Sequence, residues 1–180
     1  LQSKKALHRH SSGRAFLSEQ KPSATRLCKK KTKKRMRKLD ALLELFQEAE
    51  PAERLELLLD FAERLPPLPP EYVPLRDAGL GMVHECQSPV FFLPEVQDGR
   101  VRIYADVPRE APTPRAFTAM LVEAFDGEPP EAVLEAPEDL LYRLGIAPLL
   151  GMQRLRGLTA IYQKLRREVA EKAGLSANPR

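Results

Sequence analysis

The run Val90-Phe91-Phe92-Leu93, entered through Pro89, constrains the fold of this chain more than any other stretch. Four consecutive apolar residues rich in β-branched and aromatic side chains are too short for a helix, and the proline before them removes a ladder donor and marks a strand start. A buried strand therefore begins here. Gln97-Asp98-Gly99 is a turn signal, and beyond it Val101, Ile103 and Ala105 alternate with Arg102 and Tyr104 as a half-buried strand requires. The two segments make a hairpin, to which residues 80–83 are expected to add a short edge strand.

Helical spacing brackets this hairpin. Leu39, Leu42, Leu43 and Phe46 predict one helix, and Leu55, Leu58, Leu59, Ala62 and Leu65 a second after Pro51, which suits a first-turn position. The two are expected to pack antiparallel. Residues 66–70, Pro-Pro-Leu-Pro-Pro, must end the second helix, and the chain to Gly79 is expected to run extended. After the hairpin, Thr113 as cap and Pro114 as first residue predict a helix burying Phe117, Met120, Leu121 and Ala124 and stopping at Gly127. Short helical turns follow at 129–134 and 137–144. Met152, Leu155, Leu158, Tyr162, Leu165 and Val169 then form the stripe of a long helix, with Arg154, Arg156, Lys164, Arg166 and Arg167 off it and Arg156, Arg166 and Arg167 read as a solvated face. This order predicts an α+β domain, a small antiparallel sheet of about three strands with helices packed on one face.

Charge divides the chain. Residues 1–38 hold 14 Lys or Arg against the single acid Glu19, whereas residues 39–180 hold 15 basic and 24 acidic residues, so the overall net charge of +4 describes neither part. Residues 1–35 have almost no hydrophobic periodicity, and in 29–35 only Thr32 is uncharged, the composition of a disordered tail. Such a tail reads as an arm for nucleic acid, as a targeting peptide, or as sequence upstream of the true start, with Met36 directly before the first helix; the last is favoured. The expected division is 1–35 tail, 36–174 folded domain and 175–180 C-terminal tail. No apolar stretch approaches the roughly 20 residues that cross a bilayer, so no membrane partner is expected.

Two cysteines in 180 residues are no disulfide framework, and Cys28 and Cys86 stand in very different surroundings, which points to a reducing compartment. There is no Gly-rich phosphate loop, no His pair at metal spacing, and no set matched to a serine nucleophile. Cys86 is the one residue of the folded part with strong intrinsic chemistry. It lies on the bend feeding the strand, among the polar residues His84, Glu85, Gln87 and Ser88. A protonated His84 would raise the thiolate fraction and Glu85 would oppose it, so the sign of any pKa shift is open.

Taken in order, the helix pair closing with Arg64-Leu65-Pro66, the motif Cys86-Gln87-Ser88-x-Val90, the hairpin, Asp126-Gly127-x-Pro129, and Arg154-x-x-Gly157-Leu158 resemble the SufE family and its CsdE relatives over residues 36–171. Glu85 stands where the family has Gly, and Phe91 where it has Trp. The resemblance implies a SufE/NifU-like fold and a cytoplasmic sulfur carrier, itself no enzyme. Its Cys86 takes persulfide sulfur from a cysteine desulfurase of the SufS/CsdA kind, stimulates that enzyme, and passes sulfur to a scaffold for iron–sulfur clusters. It implies no cofactor of its own, the pyridoxal phosphate residing in the desulfurase, and a monomer or weak dimer. Arg154, Gln87, Ser88, Asp106 and His84 are the implied supporting residues around Cys86. A redox-sensing thiol protein and a nucleic-acid-binding module using the basic tail are the alternatives.

Overall fold

A computed structural model describes residues 37–175; the basic tail with Cys28 and residues 176–180 lie outside the described part. The chain begins with helix α1 (Arg37–Glu48) and helix α2 (Pro51–Glu63), joined through a reciprocal capping box in which Glu50 and Glu53 satisfy each other's backbone N–H groups. Arg54 Nε donates to Phe46 O at 2.7 Å, and the Phe46 and Phe61 rings meet with centroids 5.9 Å apart. Both helices pack on a later one, α4, and α2 does so through Leu58, Phe61 and Ala62. The expected stripe of α2 is thus half right, with Leu58, Ala62 and Leu65 buried. Leu55 and Leu59 are 52% and 48% exposed, while Phe61 is in the core. Four leucines spread around the helix, at 55, 57, 58 and 59, leave the periodicity without a single preferred face.

The proline run is extended only to Pro69, after which a 3₁₀ turn (Pro70–Tyr72) and helix α3 (Val73–Asp77) cross the outer face of the sheet. Tyr72 stacks on Tyr104 with centroids 3.8 Å apart, and Arg76 pairs with Asp106 at 2.5 Å. Strands β1 (Phe91–Gln97) and β2 (Arg100–Asp106) form an antiparallel hairpin in which Phe92 faces Ala105, Pro94 faces Ile103 and Val96 faces Val101. Asp98 at φ 50° and Gly99 at φ 69° make its two-residue turn, as the Asp-Gly pair requires.

The third strand is reduced to one bridge, Met82 to Phe91. Gly79 and Gly81 both sit at positive φ, which breaks extended pairing, and Gly81 lies so near the Phe91 ring that an added Cβ would stand 3.0 Å from Cε2. The outer edge of β2 is closed by the chain leaving α4. Val101 N donates to Glu128 O at 2.7 Å, Gly127 N donates to Val101 O at 2.8 Å, and Asp126 Oδ1 accepts from Ile103 N at 2.9 Å. An edge covered this way offers no free ladder to another chain.

Helix α4 (Pro112–Phe125) starts two residues before the expected Pro114, with Ala111 at its N-cap and no side-chain cap from Thr113. Pro112 already supplies the fixed φ and missing N–H that a first turn tolerates. Short helices α5 (Pro130–Leu134) and α6 (Leu140–Arg143) lead to the 21-residue helix α7 (Met152–Lys172). Helix α7 packs on β1 and α4 packs on β2, both on the inner face, while Met152, counted in the stripe, is 75% exposed. Arg166 is no solvated cation: its guanidinium donates to the carbonyls of Val133, Leu134 and Ala136 and so satisfies the end of α5.

Two substitutions check this packing. Asp126→Ala strips the acceptor from the Ile103 N–H and should lower stability by about 1–3 kcal/mol in urea unfolding. Thr118 is fully buried on α4 with its hydroxyl unpartnered, so Thr118→Val should raise Tm by roughly 1–4 °C in calorimetry.

Candidate functional site

Cys86 lies on a six-residue loop, 84–89, held closed at its base. Val83 N donates to Val90 O at 2.9 Å, Phe92 N donates to Gly81 O at 3.0 Å, and Val83 and Val90 are both buried. Between these anchors the backbone bends, and His84, Glu85, Gln87 and Pro89 are exposed while Cys86 and Ser88 are half-buried. The bend separates the His84 and Cys86 side chains, which extended backbone would have put on one face. Here His84 points to solvent and the sulfur turns inward.

The thiol faces a cleft of about 200 Å³ with three walls. Cys86, Gln87 and Ser88 form the loop wall. Glu110 and the first turn of α4, from Ala111 to Pro114, form the second; the first two turns of α7, with Gln153, Arg154, Gly157 and Leu158, form the third. Arg115 fixes the second wall by donating to Ala62 O at 2.8 Å and Val107 O at 2.5 Å, which ties the end of α2 to the strand exit. Gly151 caps α7 without a side chain, and the positive end of its dipole lies at the rim of the cleft. Arg154 is exposed and has no hydrogen bond or ion pair among the described residues.

Of the residues implied by resemblance, the structure brings Cys86, Gln87, Ser88 and Arg154 together. His84 and Asp106 do not line the cleft. Asp106 closes the open end of the hairpin opposite Phe91, where its carboxylate is taken by Arg76. Glu110, Thr113, Gln153 and Gly157 line it without having been singled out as site residues. Glu110 and Thr113 had no sequence signal, since a proline-rich link gives no phase. Gly157 had one, a glycine inside a strongly periodic helix.

Burial pushes the Cys86 thiol up, and the neighbouring Glu85 carboxylate pushes it further, to about 11. The sign left open by the sequence is therefore upward. Among the described residues no group of three or more His, Cys, Asp or Glu side chains is placed to hold a metal ion, and no helix is long and apolar enough to cross a membrane.

Residues 40–169 match the SufE family, described as an Fe-S metabolism associated domain. The chain belongs to the SufE family. Uncharacterized SufE-like proteins of two Mycobacterium tuberculosis strains, CDC 1551 and H37Rv, are each 39% identical over 127 residues, covering 70% of this chain and 87% of theirs. A SufE-like protein of Synechocystis is 25% identical over 128 residues, 71% of this chain and 77% of its own. The solution structure of a hypothetical protein from Thermus thermophilus superposes with a TM-score of 0.64 at 40% identity, covering 76% of this chain and 96% of that one. Membership ties this SufE-family chain to iron–sulfur metabolism and agrees with its α+β architecture.

A thiol held up to about 11 reacts slowly at neutral pH because the thiolate is the nucleophile. Alkylation of Cys86 by iodoacetamide in the native protein should climb about tenfold per pH unit from pH 7 to 10 and level off near 11. In urea the same profile should bend near the ordinary thiol value of about 8.5.

Proposed function

We propose that this protein is the sulfur acceptor of a cysteine desulfurase. The observation that carries the reading is the meeting of Cys86, Gln87, Ser88 and Arg154, from two distant stretches of sequence, around one cleft. The Cys86 thiolate attacks the outer sulfur of a persulfide on the desulfurase; the bond between the two donor sulfurs breaks, the donor leaves as thiolate, and Cys86 carries the sulfane sulfur as a new persulfide. No net electrons enter or leave. The pyridoxal phosphate that generates the first persulfide belongs to the partner, and removal of its product is how an acceptor stimulates it.

Cys86 is the only cysteine among the described residues, so no second thiol of the domain stands ready to resolve the persulfide into a disulfide. Arg154, without a hydrogen-bond or ion-pair partner among the described residues, is suited to hold an anionic sulfur or a carboxylate of the docking surface. The sulfur then passes to a scaffold for cluster assembly, in a reducing compartment such as the cytoplasm. Peroxide sensing, the other chemistry open to this thiol, asks for a lowered pKa and ready access, whereas the Cys86 thiol is pushed up and half-buried at rest.

Incubation with a cysteine desulfurase and free cysteine should add about 32 Da, one sulfur atom, to the intact protein, with the modification mapping to Cys86 and absent from Cys86→Ser. An unmodified wild-type mass after full desulfurase turnover would overturn the assignment.

A further inference from the structure

Gly157 sits in the second turn of α7, where an interior glycine is destabilising relative to alanine and needs a reason to be there. Its backbone is ordinary helix, so conformational freedom is not the reason. The reason is on the neighbouring loop. A Cβ built on Gly157 would stand 3.0 Å from Cys86 Sγ, 3.5 Å from Cys86 Cα and 3.7 Å from Glu85 O. A contact of 3.0 Å is tighter than nearly all that a real Cβ makes, so the sulfur would have to give way by a few tenths of an ångström, while the other two distances are ordinary contact. The bare face of the helix is therefore filled by the thiol itself.

We propose that Gly157 is the positioning residue of Cys86: the missing side chain is the seat on which the sulfur rests, and the depth of that seat holds the thiol back from exchange until the 84–89 loop is drawn off α7. The proposal rests on Cys86 being the group that accepts sulfur. Gly157 touches the reacting atom's resting place and supplies no chemistry. It acts by letting Cys86 sink between the two helix starts, where water is partly excluded and where the Glu85 carboxylate stays beside it. The loop is the part able to give. Gln87, Pro89, His84 and Glu85 are exposed, and Sγ makes no hydrogen bond among the described residues that would tie it down. A methyl group at 157 has the helix behind it and only this loop in front, so it should lift the thiol rather than bend α7.

The test is Gly157→Ala, read by iodoacetamide alkylation across pH 7–11 with the mass of each product mapped to Cys86. If the seat is real, labelling at pH 7.5 rises about tenfold and the midpoint of the profile falls below that of the wild type. A profile superposing on the wild type overturns the proposal, since a helix-packing glycine would change stability alone. A second readout covers the case of a poorly folding variant. With Cys86 present the alanine should lower Tm by about 2–5 °C, whereas in a Cys86→Ala background, where the close sulfur is gone, it should leave Tm unchanged or raise it. Equal effects in both backgrounds also overturn it. Neither measurement uses a desulfurase, so their failure removes the seat and leaves sulfur acceptance to the desulfurase mass assay.

Discussion

The structure depends on burying one face of a two-stranded hairpin. Two strands alone are marginal in water, and this pair carries Phe92, Val101, Ile103 and Ala105 on a single side with no second sheet to cover them. Helices α4 and α7 supply the cover, and the remaining helices stack behind them. Once two helices must lie across the same small sheet, their starts converge near the end of the hairpin where β1 begins and β2 ends. The cleft of Cys86 lies between those starts. The loop that delivers the thiol is the same segment that enters β1, so the strand that organises the core also fixes where the sulfur emerges.

That dependence explains which parts could be read from residues alone. The hairpin was legible because strand alternation and the Asp98-Gly99 turn agree, and a strand pattern with a matched turn leaves one register. Helix α7 was legible because its stripe holds over five turns. Helix α2 was phased only in part because leucines at 55, 57, 58 and 59 satisfy more than one face, and the choice between them is made by Phe46 and α4, which periodicity does not see. The edge strand at 80–83 failed for a local reason, two glycines at positive φ. The segment 70–77 folds into short helices because Tyr72 and Arg76 find Tyr104 and Asp106 across the sheet, a tertiary gain that a proline-rich composition does not announce.

The candidate site was legible in part for the same physical reason. Cys86, Gln87 and Ser88 are contiguous, and Arg154 came through resemblance, yet nothing in spacing places residue 154 beside residue 86. Glu110 and Thr113 reach the cleft only because Arg115 pins the link between β2 and α4 to two backbone carbonyls. Asp106 illustrates the converse. A carboxylate at the end of a strand near a reactive loop invites a role in its chemistry, but the Arg76 guanidinium claims it on the outer face of the sheet.

A reactive group that rests in an unreactive state is coherent with the proposed role of sulfur acceptor. With burial pushing the thiol up to about 11, its thiolate fraction at neutral pH falls well below the few per cent of an ordinary cysteine, and resting chemistry with adventitious oxidants slows with it. Moving the loop into water removes the larger cause of the shift, burial, and leaves only the screened effect of Glu85. The sulfur itself has no hydrogen bond to give up among the described residues, and the loop's anchors at Val83 and Val90 need not open for it to move. On the proposed acceptor role, a docking surface that drew the loop outward would activate the nucleophile by relocating it, with no new acid or base required.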